Sequence, residues 1–293
     1  MGLLNDRCYN NDMGPGAPHK QNSQITVSSR DIEDFLNLFE NDTASAIKAI
    51  ERFSHTSTQQ QLHSTEPPKD GEIIISIRDV SKSYKLGRQK IDVLNAISLN
   101  IYKGQLVALT GPSGSGKTTL LHILGCIDTP TSGQVIVDEQ EVSKLRDGAL
   151  SRIRQEKIGF VFQSFYLQPF LRLDDNVSVP AMFTHEKRKK INKRGAMLIE
   201  RVGLSDYTKH YPKELSGGQI QRTAIARALI NNPAIIIADE PTGNLDSKNS
   251  QSIIDLFKTL RDTLGTTIVI ATHDQNIAKQ ADQIIAMKDG SIT

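Results

Sequence analysis

No apolar run in this chain approaches the ~18 residues of a membrane-spanning helix. The longest, such as residues 234–238 (AIIIA), have the length of a strand. If the protein works at a membrane, another chain does the spanning. The opening MGLLNDRCYNNDMGPG lacks the apolar stretch of a secretory signal. Gly2 suits N-myristoylation, but Asp6 stands where that motif needs Ser or Thr. Cysteine is scarce: Cys8 and Cys126 lie far apart and build no disulfide framework, so two free thiols in a reducing cytosol are expected. An excess of one charge is also missing. The formal net charge is +2 over 293 residues, which points neither to a nucleic-acid surface nor to an acidic tail. There is no internal repeat and no heptad run. The length suffices for one large domain or two smaller ones with a real core.

Residues 1–71 differ from the rest. They are rich in Asn, Ser, Thr, Gln and His, and end in a Pro67-Pro68 and Asp70-Gly71 linker or turn. Within them Ile32, Phe35, Leu36 and Phe39, then Ile47, Ile50 and Phe53, fall at helical spacing after a capping-box variant of Ser28 and Asp31. The expectation is two short amphipathic helices in a partly disordered extension. From Glu72 to residue 293 the pattern is that of a compact domain. Strand-like runs (EIIISIRDV, VLNAISLNIY, QLVALT, QVIVD, KIGFVFQ, AIIIAD, TTIVIAT, ADQIIAMKD) are interleaved with helical ones. This predicts an α/β fold with a mostly parallel central sheet and an antiparallel β part. Strand character vanishes between Gln163 and Asn231, which predicts an inserted helical subdomain over about 164–230. The basic run 186–194 (EKRKKINKR) reads as a solvated helix face.

Three short segments carry the chemistry. GPSGSGKT fits G-x-x-x-x-G-K-[ST] and sits between a strand and a helix, the context this motif requires. Its backbone N–H groups and the helix N-terminus suit phosphate oxygens. The nucleotide site therefore comprises Gly111, Pro112, Ser113, Gly114, Ser115, Gly116, Lys117, Thr118 and the adjoining Thr119. Lys117 supplies a point charge to the β- and γ-phosphates, and the Thr118 hydroxyl suits Mg²⁺. IIIADE is an apolar strand ending in two carboxylates. Neighbouring strand residues face opposite ways, so Asp239 suits the Mg²⁺ shell while Glu240 suits the base that takes a proton from an attacking water. The third segment is LSGGQIQRTAIARAL. Gly-Gly at the start of a helix carries a conformational cost, which is accepted where backbone must come close to something.

LSGGQ, residues 215–219, is the signature of the ABC-type ATPases, and the chain resembles one from about Glu72 to its end. The resemblance implies a P-loop NTPase of the ABC ATPase type, with ATP and Mg²⁺ as its nucleotide and metal. It also implies that two nucleotide-binding domains pack head to tail, so that Ser216, Gly217, Gly218 and Gln219 of one cap the γ-phosphate held by the other. It further assigns Tyr84 in SKSYKLG to the adenine stack and Gln163 in FVFQSF to Mg²⁺ and the attacking water. Asp246 in GNLD falls to the loop that communicates across the dimer, and His273 in IVIATHD to the γ-phosphate contact. GCIDTPTSG, FVFQSFYLQPFLRLDDNVSVP and ADEPTGNLD resemble the subfamily of macrolide exporters, lipoprotein-release systems, antimicrobial-peptide resistance pumps and the cell-division ABC complex. Ile220 departs from the Glu or Gln usual after the signature.

The resulting expectation is an ATPase with Glu240, Gln163, His273 and Lys117 as its catalytic set and Thr118, Gln163 and Asp239 at the metal. It would dimerise, as a homodimer, and power a separately encoded permease from the cytoplasmic face of the membrane. No nucleic acid is expected. Two alternatives stand beside it. One is a regulatory ABC ATPase that signals to cell-wall hydrolases through its permease. The other is a soluble one acting on nucleic acid or ribosomes, which usually has two such domains or a coiled-coil insertion.

Overall fold

The apolar run that opens IIISIRDVSKSYKL and the alternating apolar residues of QKIDVLNAISLNIY dictate strands, and these become β1 (Ile73–Leu86), buried at four consecutive residues from Ile74 to Ile77, and β2 (Gln89–Tyr102). They form an antiparallel hairpin that turns through Gly87, at φ 62°. β1 runs through SKSYKL, beyond the segment expected from its apolar residues, because β2 pairs with it along its whole length. β4 (Ser132–Val137) joins the other edge of β1, and β5 (Gln140–Glu141) joins β4, giving a four-stranded antiparallel sheet. The computed structural model describes residues 71–293. The two short helices expected before Glu72 lie outside the described residues.

The central sheet has six strands in the order β10-β9-β3-β8-β7-β6. β3 (Leu106–Thr110) pairs in parallel with β8 (Thr267–Ala271) and β9 (Gln283–Lys288); β7 (Ile235–Asp239) lies between β8 and β6 (Ile158–Val161). Only the short β10 (Ser291–Ile292) is antiparallel. β3 and β8 are buried at every residue, as strands covered on both faces must be, and this is why they read as continuous apolar runs. Alternate residues feed two separate cores. Val107, Leu109, Ile235, Ile237 and Val269 pack with β1, β2 and helix α1 (Lys117–Leu124). Leu106, Ile236, Ala238, Ile268 and Ile270 pack on the other face with α6 (Ser247–Leu264) and the helices between β6 and β7.

α2 (Asp147–Lys157) precedes β6. Between β6 and β7 there is no strand. The chain passes through α3 (Leu173–Ser178), a 3₁₀ turn (Val179–Phe183), α4 (Arg188–Arg201) and α5 (Gly217–Leu229), with Leu173, Val177, Ile191, Leu198, Ile225 and Leu229 forming their common interior. The basic run opens α4 with Lys187, Arg188, Lys189, Lys190 and Lys193 exposed around a buried Ile191, a solvated face as its pattern predicts. A four-residue helix, α7 (Gln275–Ala278), precedes β9. No helix among the described residues is long and apolar enough to cross a membrane.

Candidate active site

In an open parallel sheet, ligands bind beyond the carboxyl ends of the strands. The chemistry-bearing segments follow those ends: Gly111–Thr119 after β3, Gln163 after β6, Asp239 and Glu240 at the end of β7, and His273 after β8. Thr272 N–H donates to Leu109 O and Glu240 N–H to Ala271 O, so the three central strand ends are tied to one another.

The loop after β3 turns into α1 through Gly111, Gly114 and Gly116, at φ 148°, 80° and 98°. A side chain on Gly111 would lie 2.2 Å from Met287 O, so the loop is pressed against β9 and only glycine fits. No side chain caps α1, whose Ncap is Gly116, so its first N–H groups are left free to meet a phosphate. The buried Lys117 donates from Nζ to Gly111 O at 2.8 Å and to Pro112 O at 2.9 Å. Its ammonium thus lies over the loop, with a third donor available.

Thr118 Oγ1 lies 3.4 Å from Asp239 Oδ1, a long contact. Burial pushes the Asp239 carboxyl above the ordinary carboxylate range, while the Thr118 bond opposes it. A hydroxyl beside a half-buried carboxylate is a hard-oxygen pair that fits Mg²⁺, which takes few protein ligands and keeps several waters. Glu240 stands at φ 44°, the left-handed region that a residue with a side chain occupies only at a cost. That turn separates its carboxylate from that of Asp239 and directs it to His273, whose Nδ1 lies 3.3 Å from Oε1. A Cβ on Gly243 would meet Gln163 Nε2 at 3.1 Å and Glu240 Oε2 at 3.3 Å, so these two side chains flank the same glycine. Glu240, Thr242, Gly243 and His273 line a small polar cleft of about 170 Å³. Gln163 does not end a strand as the run KIGFVFQ suggests. β6 stops at Val161, and Gln163 is the second residue of the loop beyond it.

The signature opens α5. Ser216 is its Ncap: Gln219 N–H donates to Ser216 Oγ, and Ser216 N–H donates to Gln219 Oε1 at 2.8 Å, a complete capping box. Gln219 thus turns its side chain back on its own helix. Part of the reason for the glycine pair is internal to the chain, since a Cβ on Gly218 would lie 3.0 Å from Asn249 Oδ1. Asp246 caps α6, accepting from Asn249 N–H at 2.9 Å and Asn249 Nδ2 at 2.6 Å, and these bonds hold its carboxyl below the usual range. Among the described residues no hydrogen bond joins Ser216–Gln219 to the 111–119 loop.

Tyr84 projects from β1 and is partly exposed. Its hydroxyl donates to Asp128 Oδ2 at 2.7 Å; Lys82 Nζ donates to Asp128 Oδ1 at 2.5 Å and lies 4.8 Å from the Tyr84 ring centre. Asp128, just beyond α1, therefore locks the ring beside the phosphate loop. Sequence reasoning missed Asp128, and it missed Asn244, whose Nδ2 donates to Gln163 O at 2.9 Å. Both stand inside motifs already singled out, GCIDTPTSG and GNLD, but their partners are 44 and 81 residues away.

Residues 94–243 match the family model described as ABC transporter. The ABC transporter ATP-binding protein YvrO of Bacillus subtilis (strain 168) is 47% identical over 219 residues, 75% of this chain and 95% of that protein. The macrolide export ATP-binding/permease protein MacB of Escherichia coli (strain K12) is 45% identical over 219 residues, 75% of this chain but 34% of that protein. Among solved structures, the ATP-binding cassette MJ0796, as a post-hydrolysis dimer bound to ADP and Pi, is 44% identical with TM-score 0.69 over 74% of this chain and 96% of that one.

Proposed function

The chain belongs to the ABC transporter family, as an ATP-binding ATPase domain, and from that premise we propose that two copies enclose two ATP·Mg²⁺ and power a separately encoded permease. The observation that carries this is the division of the site. Phosphate loop, paired carboxylates and His273 lie at neighbouring strand ends, while the signature N-terminus is capped and packed against Asp246–Asn249. A second copy, turned head to tail, supplies the missing cap. The dimeric, ADP- and Pi-bound MJ0796 supports this arrangement. YvrO, which this chain spans almost end to end, supports a subunit whose permease is another polypeptide.

Glu240 accepts the proton of a water that attacks the γ-phosphorus in line with the departing ADP oxygen. His273 Nδ1 orients the Glu240 carboxylate, and Gln163 across Gly243 holds the same water. Lys117 leaves its loop carbonyls for the β- and γ-phosphate oxygens, exchanging two neutral acceptors for charged ones. Ser216 and the first N–H groups of α5 close on the γ-phosphate of the partner's ATP. Thr118 and Asp239 would hold Mg²⁺, which supplies charge neutralisation at the phosphates when bound.

The permease docks on the loop after Gln163. Tyr166 and Phe170 are 64% and 72% exposed, an apolar pair on a soluble subunit, whereas Phe165, Leu167 and Leu171 are half-buried. The docked state places the subunit on the cytoplasmic face of the membrane.

Mixing two dead variants tests the composite site. Lys117→Ala and Ser216→Arg homodimers each lack any intact site. A heterodimer of the two has one site with both defects and one with neither. Partial recovery of ATPase on mixing is the expected result, and its absence refutes the head-to-tail arrangement.

A further inference from the structure

Phe165 and Tyr166 follow Gln163 closely, and both have positive φ, 61° and 47°. Two consecutive residues with bulky side chains in the left-handed region are costly, and such a turn persists only where its surroundings impose it. The surroundings are identifiable. Arg227, from the last turn of α5, donates Nη1 to Tyr166 O at 2.6 Å and Nη2 to Phe165 O at 2.7 Å. Both carbonyls of the strained pair are thus held by one planar fork. The guanidinium is half-buried, and among the described residues it forms no ion pair with a carboxylate. A charge left in such a place is a poor filler, since an apolar side chain would pack there without desolvation cost. Its planar fork is preorganised for two adjacent carbonyls, whereas a lysine would bring a point charge on a flexible stem with no fixed donor geometry. Asn244 Nδ2 holds the other end of the segment, at Gln163 O.

We propose that Arg227 is a positioning residue for hydrolysis: by clamping the carbonyls of Phe165 and Tyr166 it fastens the Gln163 loop to the signature helix. This rests on the proposed role of Gln163. The physical content is that α5 is one rigid element of thirteen residues with a function at each end. Its N-terminus presents Ser216 and the signature glycines, and its C-terminal turn grips the residues that set where Gln163 points. Displacement of the helix at either end is transmitted to the other. The strained pair follows Gln163 and includes the exposed Tyr166, so the grip also fixes part of the patch read above as the permease dock.

The test is steady-state ATPase of the full chain. Losing two hydrogen bonds that act only through Gln163 placement should lower kcat about tenfold while the nucleotide KM changes less than about twofold. Arg227→Lys, which keeps the charge without the fork, should fall between Arg227→Ala and the unaltered protein. Tyr166→Gly in the Arg227→Ala background should restore part of kcat, because glycine adopts the left-handed turn unaided. A merely structural role for the guanidinium predicts no such rescue. Wild-type kcat in folded Arg227→Ala, or wild-type kcat in Arg227→Lys where Arg227→Ala does not fold, overturns the proposal. So does a loss confined to KM, or a double variant no faster than Arg227→Ala. Gln163→Ala separates the two levels. If it leaves kcat intact, the reading of Gln163 falls and the clamp with it; if it lowers kcat while Arg227→Ala does not, only the clamp falls.

Discussion

His273 Nδ1 lies 3.3 Å from Glu240 Oε1, although the two residues belong to the ends of different strands, β8 and β7. The contact is possible because β7 and β8 are adjacent and parallel and Glu240 takes a left-handed turn at φ 44°. Glu240→Gln keeps the side-chain shape and removes the proton acceptor. We expect turnover to fall by about 10²-fold or more, in the range of a lost general base. ATP binding should persist, and the variant should collect as an ATP-bound dimer on size exclusion. A variant that turns over normally and stays monomeric with ATP contradicts the assignment. His273→Ala should slow turnover with little change in nucleotide affinity.

Lys117→Ala should fail at an earlier step. Its ammonium is the buried charge nearest the loop carbonyls, and a charge-assisted phosphate contact is worth about 1.5–3 kcal/mol. The corresponding weakening is roughly ten- to a hundredfold. Titration with a fluorescent ATP analogue measures it directly, and unchanged affinity rules out the phosphate contact.

The Lys82–Asp128–Tyr84 cluster makes a pH prediction. Burial works to raise the Asp128 carboxyl, but the bonds from Lys82, Tyr84 and Thr129 outweigh it and hold it below the usual range. A depressed folded value stabilises the protein above the unfolded value of about 3.9. That contribution is lost as pH falls through the folded value. Melting temperature should therefore drop less steeply on acidification in Asp128→Asn than in the unaltered protein. Tyr84→Ala should weaken nucleotide binding while leaving that acid slope largely in place, because the Lys82 pair remains.

Tyr166→Ala and Phe170→Ala should uncouple the subunit from its permease. Both side chains are mainly exposed, so their loss should leave the melting temperature within about 1–2 °C. Co-purification with the permease, and stimulation by it, should fall together. Intact complex formation in both variants, or unfolding of the isolated subunit, removes this surface from consideration.

Cys126 is buried, and burial raises its thiol to about 11. At about pH 8 the native protein should therefore alkylate at Cys126 slowly, since the thiolate is the reactive species. Denaturation should expose the residue to rapid labelling, read by mass spectrometry of the peptide. Fast labelling of the native protein contradicts the buried placement.

Sequence alone determined the elements whose chemistry is local. The phosphate loop was legible because glycines, lysine and threonine at fixed spacing must lie between a strand and a helix. The parallel strands were legible because burial on both faces leaves unbroken apolar runs. The resemblance to ABC ATPases rests on segments of this kind, LSGGQ above all. Tertiary structure decided what depends on contacts between distant parts of the chain. Asp128 fixes Tyr84 across 44 residues, and Asn244 holds Gln163 across 81. Arg227 grips Phe165 and Tyr166 across about 60 residues, an arrangement no periodicity encodes. Gln163 read as the end of a strand, but pairing with β7 stops at Val161, so the residue belongs to a loop instead. A strand ends where its partner's hydrogen bonds run out, and that is a property of the sheet rather than of the residues themselves.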